Sequence, residues 1–149
     1  MIEVMSPEEV LAEKGYFVKT ISGTSMFPML LNRVDTVVIE PITKPFKKYD
    51  VVLFRRGKQL VLHRIIKVES EFCLIRGDNC IAAEKVYNEQ IIGMLTRFCH
   101  KGKDYSVTHK GYRFYSKLWV SLHVAIAFYH IAKRFLYRIF TRINKKHRY

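Results

Sequence analysis

The sequence predicts a mainly β protein, a small β-sheet or partly closed barrel with a short helix before it and a basic helical tail after it. Three observations carry this. Between Tyr16 and about Val107, short runs rich in Val, Ile, Leu and Phe recur between turn residues, with no long helical period among them. Ahead of them stands a helix-start signature. Behind them, charge and residue pattern change together. The expected organisation is a short N-terminal helix over 1–15, a β domain over 16–110 and a basic, aromatic helical appendage over 111–149.

Each element follows from local chemistry. In Ser6-Pro7-Glu8-Glu9, the serine can accept from the amide of Glu9 while Glu9 reaches back, and proline suits the first helical position. Gly15 should stop that helix after about two turns. The expected strands are Phe17–Ser22, Thr36–Glu40, Val51–Arg55, Leu60–Val68 and Phe72–Arg76. Ile91–Phe98 continues the series through a turn at Lys101-Gly102-Lys103 to about Val107. Leu118–Ala132 is almost wholly apolar and reads as a helix. Its 15 residues reach only about 22 Å, against a hydrocarbon core of about 30 Å. A helix lying in a membrane interface is favoured over one that spans. A single span and a helix pair packed on the protein's own sheet are the alternatives.

Charge separates the two parts of the chain. The net charge is +13, yet residues 1–100 hold 14 Lys/Arg against 12 Asp/Glu, and residues 101–149 hold 12 against Asp104 alone. Partner arguments from charge therefore concern the tail. Its aromatics (Phe114, Tyr115, Trp119, Phe128 and Tyr129 among them) interleave with cations, which suits an anionic membrane surface contacted through residues 112–149 rather than nucleic acid. Cys73, Cys80 and Cys99 form no CxxC pair, so no metal site and no cofactor are expected, and the thiols read as small apolar residues in a reducing compartment. The first 24 residues carry six charges and no apolar run fit for a secretory signal.

The stretch Ser22-Gly23-Thr24-Ser25-Met26-Phe27-Pro28 sets a serine after a strand and a glycine-containing turn. There a hydroxyl can meet a substrate carbonyl and nearby amides can face an oxyanion. A lone serine in a turn is ordinary. This one resembles the nucleophile box of the signal-peptidase and LexA-type serine peptidase superfamily, roughly Gly-x-Ser-Met-x-Pro, which Gly23, Ser25, Met26 and Pro28 match. Further matches follow in order. Tyr49-Asp50-Val51-Val52 looks like the family's Gly-Asp-Val-Val strand, with tyrosine in place of glycine. Leu62-His63-Arg64 looks like the strand that delivers the base, Gly77-Asp78-Asn79 like the family's turn, and Ile91-Ile92-Gly93 like its closing strand.

The resemblance implies a serine endopeptidase of the Ser-His branch, with Ser25 as nucleophile and His63 as base. A lysine base, with an ordinary pKa of about 10.4, needs strong desolvation near neutrality, whereas histidine at about 6.5 needs little. Asp78, in the matching turn, is the expected third member that orients His63, with Glu84 in reserve. Gly23, Thr24 and Met26 are the expected oxyanion and substrate-contacting residues, with packing under the serine loop an equal alternative for Met26 and Phe27. The expected substrate is a peptide or leader segment. Without an N-terminal anchor ahead of the serine box, the expected site of action is cytoplasmic, peripheral on the inner membrane surface. Two other readings compete: a non-catalytic peptide- or membrane-binding module on the same fold, and a LexA-like self-cleaving regulator. For the latter, 24 residues ahead of the box hold neither a helix-turn-helix nor an Ala-Gly or Cys-Gly cleavage pair.

Overall fold

A computed structural model describes residues 5–146. Helix α1 (Pro7–Lys14) carries the capping box that its sequence encodes: Ser6 Oγ accepts from Glu9 N–H at 3.2 Å, and Ser6 N–H donates to Glu9 Oε2 at 2.6 Å. It ends at Gly15 in the left-handed conformation, with φ 74°.

Among the described residues, eight antiparallel strands follow: β1 (Phe17–Thr20), β2 (Thr36–Glu40), β3 (Val51–Arg56), β4 (Gln59–Val68), β5 (Phe72–Arg76), β6 (Glu84–Tyr87), β7 (Ile91–His100) and β8 (Lys103–Ser106). They form one sheet in the order β1-β2-β7-β3-β4-β5-β6, and β8 pairs with β7. The sheet is not closed. It bends instead at three irregularities, at Val38/Ile39, Leu53/Phe54 and Ile65/Lys67, and bulges of this kind sharpen local twist.

Apolar residues cover both faces. One core gathers Val37, Ile39, Val51, Leu53, Leu62 and Leu95 with Met26, Met29 and Leu30, and the other gathers Val52, Phe54, Ile65, Ile75, Val86 and Met94. This explains the unbroken apolar run at Val51–Phe54, where all four residues are buried. A strand sandwiched on both sides has no face to leave polar.

The C-terminal part differs from a single helix over Leu118–Ala132. Helix α2 (Lys110–Ser121) begins eight residues earlier, and Leu122 separates it from α3 (His123–Lys146). His109 caps α2, its Nδ1 accepting from Gly111 N–H at 3.2 Å. No helix among the described residues is long and apolar enough to cross a membrane.

Candidate active site

The serine turn leaves β1 at Thr20. Gly23, with φ 96°, takes a conformation that a side chain would strain, and its N–H donates to Asn32 Oδ1 at 2.9 Å. Ser25 is half-buried, and Met26, the next residue, closes the turn onto the core. The Phe27–Pro28 peptide is cis. Met26 is only 2% exposed, so its side chain supports the turn from beneath rather than facing substrate. Of its two expected roles, burial favours packing under the serine loop, because the thioether belongs to the main core. Phe27, by contrast, is about half exposed.

The Gly77–Asn79 turn anchors the serine turn. Asn79 N–H donates to the Ser25 carbonyl at 2.8 Å. Asn79 Nδ2 and Phe27 N–H both donate to the Thr24 carbonyl, each at 3.1 Å. A trans peptide is planar, so pinning the Thr24 carbonyl also fixes the direction of the Ser25 N–H. Gly77 is what lets the two turns and the histidine converge. A Cβ there would lie 2.6 Å from the Ser25 carbonyl oxygen and 3.0 Å from His63 Nε2. The Nε2 edge of the imidazole and the backbone of Ser25 thus meet around one missing methyl group.

His63 lies in β4 opposite Val52, buried, with its ring 5.9 Å from that of Phe54. Its Nδ1 is 3.1 Å from Glu84 Oε1. Arg56 in turn reaches Glu84 Oε2 at 3.2 Å, forming a chain Arg56–Glu84–His63. Burial pushes the His63 pKa down, and the neighbouring Glu84 carboxylate offsets only part of that, so the group lies below its ordinary value of 6.5. It is neutral near pH 7.

Asp78 does not take the expected place at His63. Its carboxylate holds Arg64, accepting from Nε at 2.8 Å and from Nη2 at 2.7 Å. The reason is the period of two along a strand. His63 and Arg64 are adjacent in β4 and point to opposite faces, so each finds its own carboxylate. Arg64 is 1% exposed and also donates to Ser116 Oγ at 2.8 Å, to Tyr112 Oη at 3.2 Å and to the Tyr49 carbonyl at 3.2 Å. Burial alone would lower its pKa, but Asp78 outweighs that and raises it, so the guanidinium is permanently charged.

The sequence reading missed the part that α2 plays. Tyr115 Oη donates to Asp78 Oδ2 at 3.1 Å, and Trp119 Nε1 donates to the Asp78 carbonyl at 2.7 Å. His123, at the head of α3, places Nε2 3.0 Å from the Ile81 carbonyl. This helix clasps the segment that carries Gly77, Asp78, Asn79 and, a few residues on, Glu84. A signal was present in Tyr112, Tyr115, Ser116 and Trp119, whose spacing by three and four places them on one helix face. A cavity of about 300 Å³ lies elsewhere, lined by Lys44, Tyr49, Thr96, Tyr112 and Lys117, and contains neither Ser25 nor His63.

A bent, open sheet that sets a serine turn against a buried histidine paired with a partly exposed carboxylate is a framework for serine-peptidase chemistry, whether on another chain or within the same one. A family model described as Peptidase S24-like matches residues 2–96, and the chain belongs to that family. The match ends within β7, so it takes in the serine turn, β4, the Gly77–Asn79 turn and Glu84, and stops short of the clasping helix. No curated protein matches the chain closely enough to count as a relative.

Proposed function

We propose that the protein is a serine endopeptidase of signal-peptidase type, which cuts a peptide or leader segment through an acyl-enzyme on Ser25. The observation that carries the reading is the placement of His63, with Nδ1 against Glu84 and Nε2 toward the backbone junction of Ser25 and Gly77. Neutral His63 donates Nδ1–H to the Glu84 carboxylate, which leaves the Nε2 lone pair to accept the proton of Ser25 Oγ. The serine oxygen bonds to the scissile carbonyl carbon, and the Ser25 N–H stabilises the resulting oxyanion. Collapse breaks the C–N bond, and the imidazolium returns its proton to the departing amine. Water, deprotonated by the same His63, then hydrolyses the ester. Glu84 is the orienting carboxylate in this scheme. Asp78 serves by holding Arg64 and the turn that pins Ser25.

The test is labelling by a serine-directed fluorophosphonate probe. Wild type should label at one site, Ser25→Ala should not label, and His63→Ala should label about 10²- to 10⁴-fold more slowly. If wild type labels no faster than Ser25→Ala while both melt cooperatively, the fold is being used as a non-catalytic module and the proposal fails.

A further inference from the structure

Helix α3 carries a wide apolar sector that is exposed among the described residues. Phe128, Ile131, Phe135, Leu136 and Ile139 recur at helical spacing on one side, and Phe128, Phe135 and Leu136 are each about two-thirds exposed at 69%, 64% and 65%. His130, Lys133 and Arg134 occupy the opposite side of the same turns. Residues 105–149 contain ten Lys/Arg and no Asp or Glu.

From this arrangement we infer that α3 is an interfacial anchor, which lays its apolar side into an anionic lipid bilayer and its cations among the headgroups. Three observations select this occupant. The helix cannot cross a bilayer, so contact is parallel to the surface. Its apolar sector is too broad for a two-stranded seam, and Arg138 interrupts the a/d spacing that Phe128, Ile131 and Phe135 begin. A second α3 packed against it also offers no acidic residue to pair with these cations. A nucleic-acid backbone would satisfy the charges but leave the aromatic side in water, whereas a bilayer takes up both sides at once.

The structure also divides the tail more finely than composition does. Residues of α2 are committed to Arg64 and Asp78, which leaves α3 as the lipid-facing part. Its root, at His123, rests on Ile81 in the loop between Asp78 and Glu84. An anchored α3 therefore holds the serine turn beside the membrane surface, and substrates arriving along that surface meet it first. The inference stands independently of whether Ser25 reacts.

The experiment is co-sedimentation of the full chain with phosphatidylcholine vesicles, with and without phosphatidylglycerol, across a salt series. Wild type should pellet with the anionic vesicles, pellet far less with neutral ones, and come off as salt rises. Lys133→Glu with Arg134→Glu should weaken partitioning at least five-fold for each charge changed. Phe135→Glu with Leu136→Glu should abolish it, with melting temperature and fluorophosphonate labelling retained. Equal pelleting by wild type and the apolar-side variant overturns the inference. So does a lipid-free dimer that Phe135→Glu with Leu136→Glu dissolves, or binding to DNA that the same variant leaves intact.

Discussion

Two neighbouring residues of β4, His63 and Arg64, divide two carboxylates between them, and each pair has a different consequence when broken. Glu84 raises the His63 pKa against the larger lowering by burial. Glu84→Gln removes that support, so the acid limb of probe labelling should move to lower pH while the rate at its plateau falls about tenfold or more. In wild type the limb already lies below 6.5, because burial keeps the imidazole neutral as pH falls through that value. Asp78→Asn should behave differently. It leaves a buried guanidinium half-paired and should cost about 3 kcal/mol of stability, with little movement of the limb. Labelling across pH together with urea unfolding checks both. An acid limb that moves more with Asp78→Asn than with Glu84→Gln would reverse the assignment.

At the scale of elements, α2 couples the tail to the serine turn. Trp119 holds the Asp78 carbonyl, Asn79 is the next residue, and Asn79 holds the carbonyls of both Thr24 and Ser25. Trp119→Phe keeps the stacked ring against Tyr115, 5.7 Å between centroids, but loses the donor. It should cost about 1 kcal/mol in unfolding free energy. It should also slow labelling of Ser25 beyond what that stability change explains, because the serine turn loses part of its support. Unchanged labelling in a Trp119→Phe protein that melts lower would reduce α2 to a stabilising role. The sequence did not display this element well. Its apolar run at 118–132 draws the eye past Tyr112 and Ser116, whose partners are some fifty residues away. Strand β6 was equally hard to see, since Glu-Lys-Val-Tyr contains a single buried residue, Val86, and lies at a sheet edge.

For the whole molecule, a second buried acid sets the response to low pH. Asp35 joins the sheet's far end, accepting from Leu31 N–H at 2.7 Å and Lys101 N–H at 3.1 Å, with His100 Nδ1 at 2.6 Å. Burial pushes its pKa up, but these partners outweigh burial and hold it below the ordinary 3.8. A depressed carboxylate contributes stability that is complete above the unfolded value and lost as pH falls through the folded one. His63 acts earlier, its contribution declining as pH falls below 6.5, because the unfolded imidazole takes the proton more readily. Melting temperature should therefore slip gently below 6.5 and steeply only below about pH 4. Asp35→Asn should lower stability at pH 7 by about 1–3 kcal/mol and flatten the steep limb. An equally steep acid limb in Asp35→Asn would place the responsible carboxylate elsewhere.

The sequence alone determined what depends on nearby residues and their order. The capping box at Ser6 and Glu9, most of the strands, and the sequence of motifs from Ser25 through His63 to Asn79 were legible because each is written within a few residues. Only the tertiary structure decided which carboxylate serves which partner. Asp78 and Glu84 lie six residues apart in the chain, but the strand's alternation sends one to Arg64 and the other to His63. It also divided the tail, since a basic, aromatic composition is common to α2 and α3 while only long-range contacts reveal that α2 is bound to the Arg64–Asp78 pair. A side chain's periodicity is local, but the partner it finds is set by how distant elements pack.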